Sequence, residues 1–157
     1  MPQHTAPVAT FEKLKQYLES RPAAQRALVH LRRGVEISIV IGHQIECTLY
    51  NDNGKPTLEK RPAKNHDVVF YIKPESIEVL AQNPGEDVGE LGILVLKEYL
   101  AGGVRIAVVG SVFNIMKNGY LNIVKEGGAT FAKFLANYGL TNATKIISVI
   151  KSLRKEV

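Results

Sequence analysis

Few residues of this chain could act as nucleophile, acid, base or metal ligand, and those few are scattered. His4, His30, His43 and His66 show no His-x-x-x-His or comparable ligand spacing, so the sequence carries no metal motif. His66-Asp67 follows Asn65 in a turn-like stretch and reads better as a solvated turn than as an orienting pair for a nucleophile. Cys47 alternates with Ile45 and Leu49, which makes it a small strand hydrophobe rather than a reactive thiol. Gly102-Gly103 and Gly127-Gly128 lack the further glycines, or the Lys-Ser/Thr, that a phosphate-binding loop needs after a strand. The first pair reads as a helix-end cap and the second as a bend before a helix. With no triad and no carboxylate pair, the expectation is a binding module: not an enzyme, with no cofactor and no metal.

Composition supports that class. The 157 residues suit one domain, 45% of them are hydrophobic and 22% charged, and a single cysteine leaves no intrachain disulfide. These features point to a reducing cytoplasm. The net charge of +5 is modest and reads as spread along the chain, so nucleic acid is a disfavoured partner. No apolar run approaches the ~18 to 20 residues of a membrane span.

The elements that would position a site follow from periodicity. Residues 1–9 read as a flexible tail ahead of one domain over residues 10–157. Thr10 caps a helix carrying Phe11, Leu14, Tyr17 and Leu18, and Pro22 restarts a second with Ala24, Ala27, Leu28 and Leu31. Val35 to Ile41 alternates at period two; Ile45, Cys47 and Leu49 form the dry side of its hairpin partner, with Glu46, Thr48 and Tyr50 on a wet side. Thr57 to Arg61 is a polar edge strand, and Val68 to Ile72 a fourth strand. Lys73-Pro74-Glu75 opens a helix, and Asp87 with Glu90 opens another in a capping-box pattern. That helix, Val88 to Ala101, is apolar on nearly every side, which requires cover on most sides. Val104 to Val109 is a fifth strand; the period from Val112 to Val124 is ambiguous. Residues 129–137 are helical, and Thr141 caps a final amphipathic helix over residues 141–156.

The words D67-V-V-F-Y-I-K-P-E-S-I-E-V-L and Y99-L-A-G-G-V-R-I-A-V-V-G-S, in this order of elements, resemble the sterol carrier protein 2 (SCP2) family. The resemblance spans about Arg33 to Val124. It departs from the family pattern in the late strand, where Ala107 and Val109 replace a second basic residue, and in the added basic helix after Gly139. The resemblance implies an α+β fold whose five-stranded, mainly antiparallel sheet is covered by helices, with a hydrophobic tunnel between the two layers for a sterol, fatty acyl chain or other lipid. Some relatives are accessory factors in isoprenoid-quinone synthesis.

On that basis Leu94, Tyr99, Ile106, Val108, Phe113, Ile115, Met116, Leu121, Phe131 and Phe134 form a candidate lipid-binding set. Each buried methylene of a ligand would contribute ~0.8 kcal/mol there. The last helix sets Ile146, Ile147, Ile150 and Leu153 against Lys145, Lys151, Arg154 and Lys155. Such a helix packs on the body, binds a partner or second subunit, or docks on anionic membrane. The functional expectation is non-catalytic lipid binding or transfer. Its alternative is an accessory protein-interaction subunit whose core is filled by its own side chains.

Overall fold

The computed structural model describes residues 6–155. In chain order the elements are α1 (Ala6–Ser20), α2 (Pro22–Leu28), β1 (Glu36–Ile41), β2 (Ile45–Asp52), β3 (Lys55–Glu59), β4 (His66–Ile72), α3 (Pro74–Ala81), α4 (Val88–Leu100), β5 (Val104–Val108), α5 (Val112–Lys117), α6 (Tyr120–Glu126), α7 (Gly128–Ala136) and α8 (Ala143–Lys155). The strands form one sheet in the order β3-β2-β1-β4-β5. The pairings β1/β2, β2/β3 and β4/β5 are antiparallel, whereas β1 and β4 run parallel, so the sheet is mixed.

The register sorts the side chains by face. Ile37, Ile39 and Ile41 lie opposite Leu49, Cys47 and Ile45, and Leu49 opposite Leu58. On the other side of β1, Ile39 and Ile41 pair with Phe70 and Ile72, which pair in turn with Ile106 and Val104. One continuous apolar face results, and α1 and α2 cover its β2–β3 half. Phe11 and Leu14 of α1, with Leu28 and Leu31, join the strand residues in the main core.

Over β2 and β3 the opposite face is polar, as period two dictates, whereas in β4 and β5 it carries the buried Val69 and Ala107. Arg61 bonds Glu36 at 2.7 Å and Glu59 at 2.8 Å, and Tyr50 donates to Glu59 at 3.0 Å. The Arg61 guanidinium and the backbone N–H groups of Lys64 and Asn65 hold the pKa of the Glu36 carboxyl at about 2, well below its usual range. Thr48, which the alternation puts on this wet side, is instead fully buried, because its hydroxyl donates to the Arg61 carbonyl under the loop after β3.

Several boundaries differ from the sequence expectation. The third strand spans Lys55–Glu59 rather than Thr57 to Arg61, and His66-Asp67, expected as a solvated turn, opens β4 with Asp67 buried, because β4 pairs with both β1 and β5. The first helix begins at Ala6 rather than at a Thr10 cap, since Pro7 is tolerated in its opening turn; only residues 1–5 of the expected tail lie outside the described residues. Val112 to Val124 resolves into two short helices broken at Asn118-Gly119. Gly119 is required there, with φ of 99° and a position where any Cβ would collide with the His30 carbonyl. The last helix is capped by Asn142, whose side chain accepts from the Lys145 N–H at 3.0 Å, rather than by Thr141.

Candidate functional site

The expectation for α4 needs the largest correction. Of its residues only Val88 and Gly89 are buried; Leu91, Ile93, Leu94, Val95, Leu96 and Tyr99 are half-buried and Leu100 is 56% exposed. Its cover is narrow because α7 approaches along one glycine line. A Cβ at Gly89 would strike the Gly127 carbonyl, and one at Gly92 would strike the Phe131 ring. Phe131 therefore pins α7 to α4, and β5, α2, α3 and α6 also pack against α4 without fully burying its apolar residues.

A second gap lies over β4 and β5. Phe70 and Ile106 are partners at mid-strand on the covered face, yet both are only half-buried, while Val68, Ile72, Val104 and Val108 before and after them are buried. Both α4 and α8 pack on β5 with few contacts between them, and α6, which packs on α4 and α5, lends Tyr120 and Ile123 to the core beside the strand pair. Val95 and Tyr99 of α4 stand on one side with Ile123 of α6, and Ile150 and Leu153 of α8 on the other; Phe70, Ile106 and Tyr120 join the main core to a smaller one of Val68, Val108 and Ile115.

One polar atom belongs to this otherwise apolar groove. The Tyr120 hydroxyl is buried and has no hydrogen-bond partner among the described residues. Burial raises its pKa, and nearby Asp67 raises it further. Asp67 is brought inward by an irregularity in the β1/β4 register after Glu36, and its Oδ2 accepts from the Asn118 amide at 2.7 Å. Its backbone carbonyl accepts from Val109 and Gly110, so β5 is clamped to β4 where α5 begins.

The ten candidate lipid contacts do not form one wall. Ile106 and Tyr99 line the groove; Leu94, Leu121 and Phe134 are half-buried, the last with its ring 5.3 Å from that of Tyr138. Val108 and Ile115 are core, and Phe131 is the wedge between α4 and α7. Phe113 and Met116 are 70% and 48% exposed, so they cannot face the sheet: α5 is a single short helix, and Ile115 takes its one buried position. Phe70, Val95, Tyr120, Ile150 and Leu153 line the groove without having been legible as site residues. Tyr120 carries no helical pattern to flag it, and Ile150 and Leu153 lie in a stripe that reads as belonging to α8 alone.

The space under α1 and α2 is filled by side chains of the main core. Two clefts lie elsewhere. One of about 460 Å³ with a mainly polar lining runs between α1 and α3, and one of about 180 Å³ with a mainly apolar lining lies at the β1–β4–β5 end beside His43, Lys73 and Arg105.

The groups with latent chemistry are dispersed. Burial pushes the Cys47 thiol up to about 12, and it donates to the Ile39 carbonyl. His30 pairs with Glu126 at 2.7 Å, tying the end of α2 to α6, and among the described residues no set of three His, Cys, Asp or Glu converges as a metal site. Gly102-Gly103 closes α4, with their N–H groups donating to the Tyr99 and Glu98 carbonyls. On α8, Lys145 and Lys151 are exposed, and the side chains of Arg154 and Lys155 lie outside the described residues. No helix is long and apolar enough to cross a membrane among the described residues.

No protein-family model matches the chain, and no curated protein matches it in sequence. Among solved structures it is similar to one described as a UbiJ-SCP2 ubiquinone synthesis protein, at 13% identity and a TM-score of 0.44, covering 78% of this chain and 97% of that one. It is also similar to the apo form of sterol carrier protein 2 from Yarrowia lipolytica, at 11% identity and a TM-score of 0.37, covering 81% of this chain and 95% of that one. Both carry the SCP2 name that the sequence words resemble.

Proposed function

We propose that the protein binds an apolar ligand without transforming it, seated in the open groove over β4 and β5. The observation that carries this reading is the half-exposure of Phe70 and Ile106 in mid-strand on an otherwise covered face. Apolar surface left open between two helices is a place where a ligand, rather than the chain, completes the core. Burying a dozen ligand carbons contributes about 10 kcal/mol gross at ~0.8 kcal/mol per methylene, and ordering the ligand takes back a large part of it.

The groove also favours one kind of ligand end. Tyr120 offers a donor and acceptor without a partner among the described residues, while the Asp67 carboxylate nearby opposes a second negative charge. A neutral hydroxyl or carbonyl end suits the site better than a free carboxylate, which ranks a sterol-like alcohol, a fatty acyl ester or an isoprenoid carbonyl compound above a fatty acid. A non-catalytic role is supported by the inert Cys47 and the dispersed histidines.

Native mass spectrometry of gently purified protein, with extraction of bound lipid, tests the proposal together with uptake of a fluorescent fatty alcohol. A copurifying lipid or saturable uptake that Ile106→Glu abolishes is expected. Absence of both bound lipid and uptake refutes it. The filled space under α1 and α2 favours a second reading, an accessory subunit acting through protein contacts, which would give a stable complex by light scattering while taking up no lipid.

A further inference from the structure

The chain's positive charge is not evenly dispersed, although its modest total reads that way. Twelve of its twenty Lys and Arg residues precede residue 99, together with thirteen of its fifteen Asp and Glu, so that part is close to neutral. The whole excess lies in residues 99–157. Between residues 99 and 155 the one acidic residue is Glu126, and His30 already holds it.

The same region exposes large apolar side chains. Phe113 and Met116, one turn apart on α5, are 70% and 48% exposed, and Val109 just before α5 is 43% exposed. Lys117 lies on the same side of the helix as Phe113, its Nζ 5.7 Å from the ring centre. α5 packs against α8, whose Ile150 and Leu153 pack on the small core and whose Lys145, Val149 and Lys151 are exposed. The membrane expectation for the last helix rests on Lys145, Lys151, Arg154 and Lys155 beside its apolar stripe. The packing directs that stripe to the protein and leaves α5 to provide the apolar tips.

We infer that the α5–α8 surface docks on an anionic lipid bilayer, with Phe113 and Met116 entering the headgroup layer and Lys117, Lys145 and Lys151 held above it. Aromatic and thioether side chains flanked by lysines match the interface between acyl chains and charged headgroups. A protein partner would need acidic residues to meet the same field, whereas an anionic leaflet supplies that charge at any orientation. Because Ile150 and Leu153 are also a wall of the groove, docking by α5 and α8 brings the groove beside the bilayer. The docking does not depend on the groove's holding a ligand.

The test is sedimentation of the full chain with phosphatidylcholine vesicles, with and without phosphatidylglycerol, over a range of salt. Binding only to the anionic vesicles, weakening as salt rises, is expected. Exposed positions tolerate substitution, so Phe113→Ser with Met116→Ser should keep the melting curve while weakening vesicle affinity by about tenfold or more. Lys117→Glu with Lys145→Glu and Lys151→Glu should weaken it by a similar factor. No binding to anionic vesicles at low salt overturns the inference, as does binding that both variants leave unchanged. Light scattering that finds Phe113 and Met116 buried in a self-associated species, dispersed by the Ser pair, also overturns it.

Discussion

Replacing Tyr120 by Phe removes one oxygen from the groove and leaves the ring against Phe70 and Ile106. In the wild-type chain that hydroxyl is buried without a partner among the described residues, with the Asp67 charge nearby. A buried unsatisfied hydroxyl costs about 1–3 kcal/mol, so deleting it should stabilise the ligand-free protein by about 1 kcal/mol. For a chain of this size that is a rise of about 2–4 °C in Tm. Binding should respond in the opposite sense. A ligand whose hydroxyl or carbonyl end bonds Tyr120 should lose about 1 kcal/mol, or roughly fivefold in affinity, while an alkane of equal length should lose nothing. The assays are differential scanning calorimetry of delipidated protein and competition of alcohol, acid and alkane against a fluorescent alcohol. A Tm that falls in Tyr120→Phe, or an equal loss for alcohol and alkane, would refute both the orphaned hydroxyl and its place in the site.

Three further outcomes rest on separate parts of the fold. The pKa of the Glu36 carboxyl is held at about 2 by Arg61, below its ordinary value of 4.5, so the unfolded chain takes up that proton first. The pair's stabilisation is complete above the ordinary value and lost as pH falls toward 2. With the guanidinium 31% exposed it is about 1–2 kcal/mol after screening. Urea unfolding of Arg61→Gln should show that loss at pH 7 and little of it at pH 2; equal losses at both would contradict the assignment. Cys47 should resist iodoacetamide in the native state and label only as fast as the protein unfolds, since burial pushes its thiol up to about 12; rapid native labelling would count against its position. Gly119→Ala should destabilise by about 2 kcal/mol or more in denaturant melts, because φ of 99° and the His30 carbonyl both exclude a Cβ; a neutral result would mean the α5–α6 corner is loose.

Much of the fold is legible in the sequence because local patterns and tertiary packing agree. The alternation of Ile37, Ile39 and Ile41 with the matching Ile45, Cys47 and Leu49 specifies a hairpin with one dry face, and the register places those residues opposite one another. Lys73-Pro74-Glu75 opens α3, and the Asp87 side chain caps α4 by accepting from Gly89 at 3.0 Å. The glycines at 89 and 92 are a further readable sign, of close helix approach. Their three-residue spacing puts both on one side of α4, where Phe131 lies.

The site is less legible, because hydrophobicity along a chain states which residues must leave water and not which atoms cover them. Phe113 and Phe131 are the same residue type on nearby short helices, and one is 70% exposed while the other wedges α7 onto α4. That difference is set by which face of α5 the small core around Ile115 occupies. Likewise, a run of apolar residues from Val88 to Leu100 specifies a helix but not whether its flanks are sealed. Period-two alternation and helix-start residues, which act locally, were enough to specify β1, the dry face of its hairpin with β2, and the starts of α3 and α4. The incomplete burial of Phe70 and Ile106 arises only on folding, because it depends on how α4, α6 and α8, far apart in the chain, pack beside the strand pair.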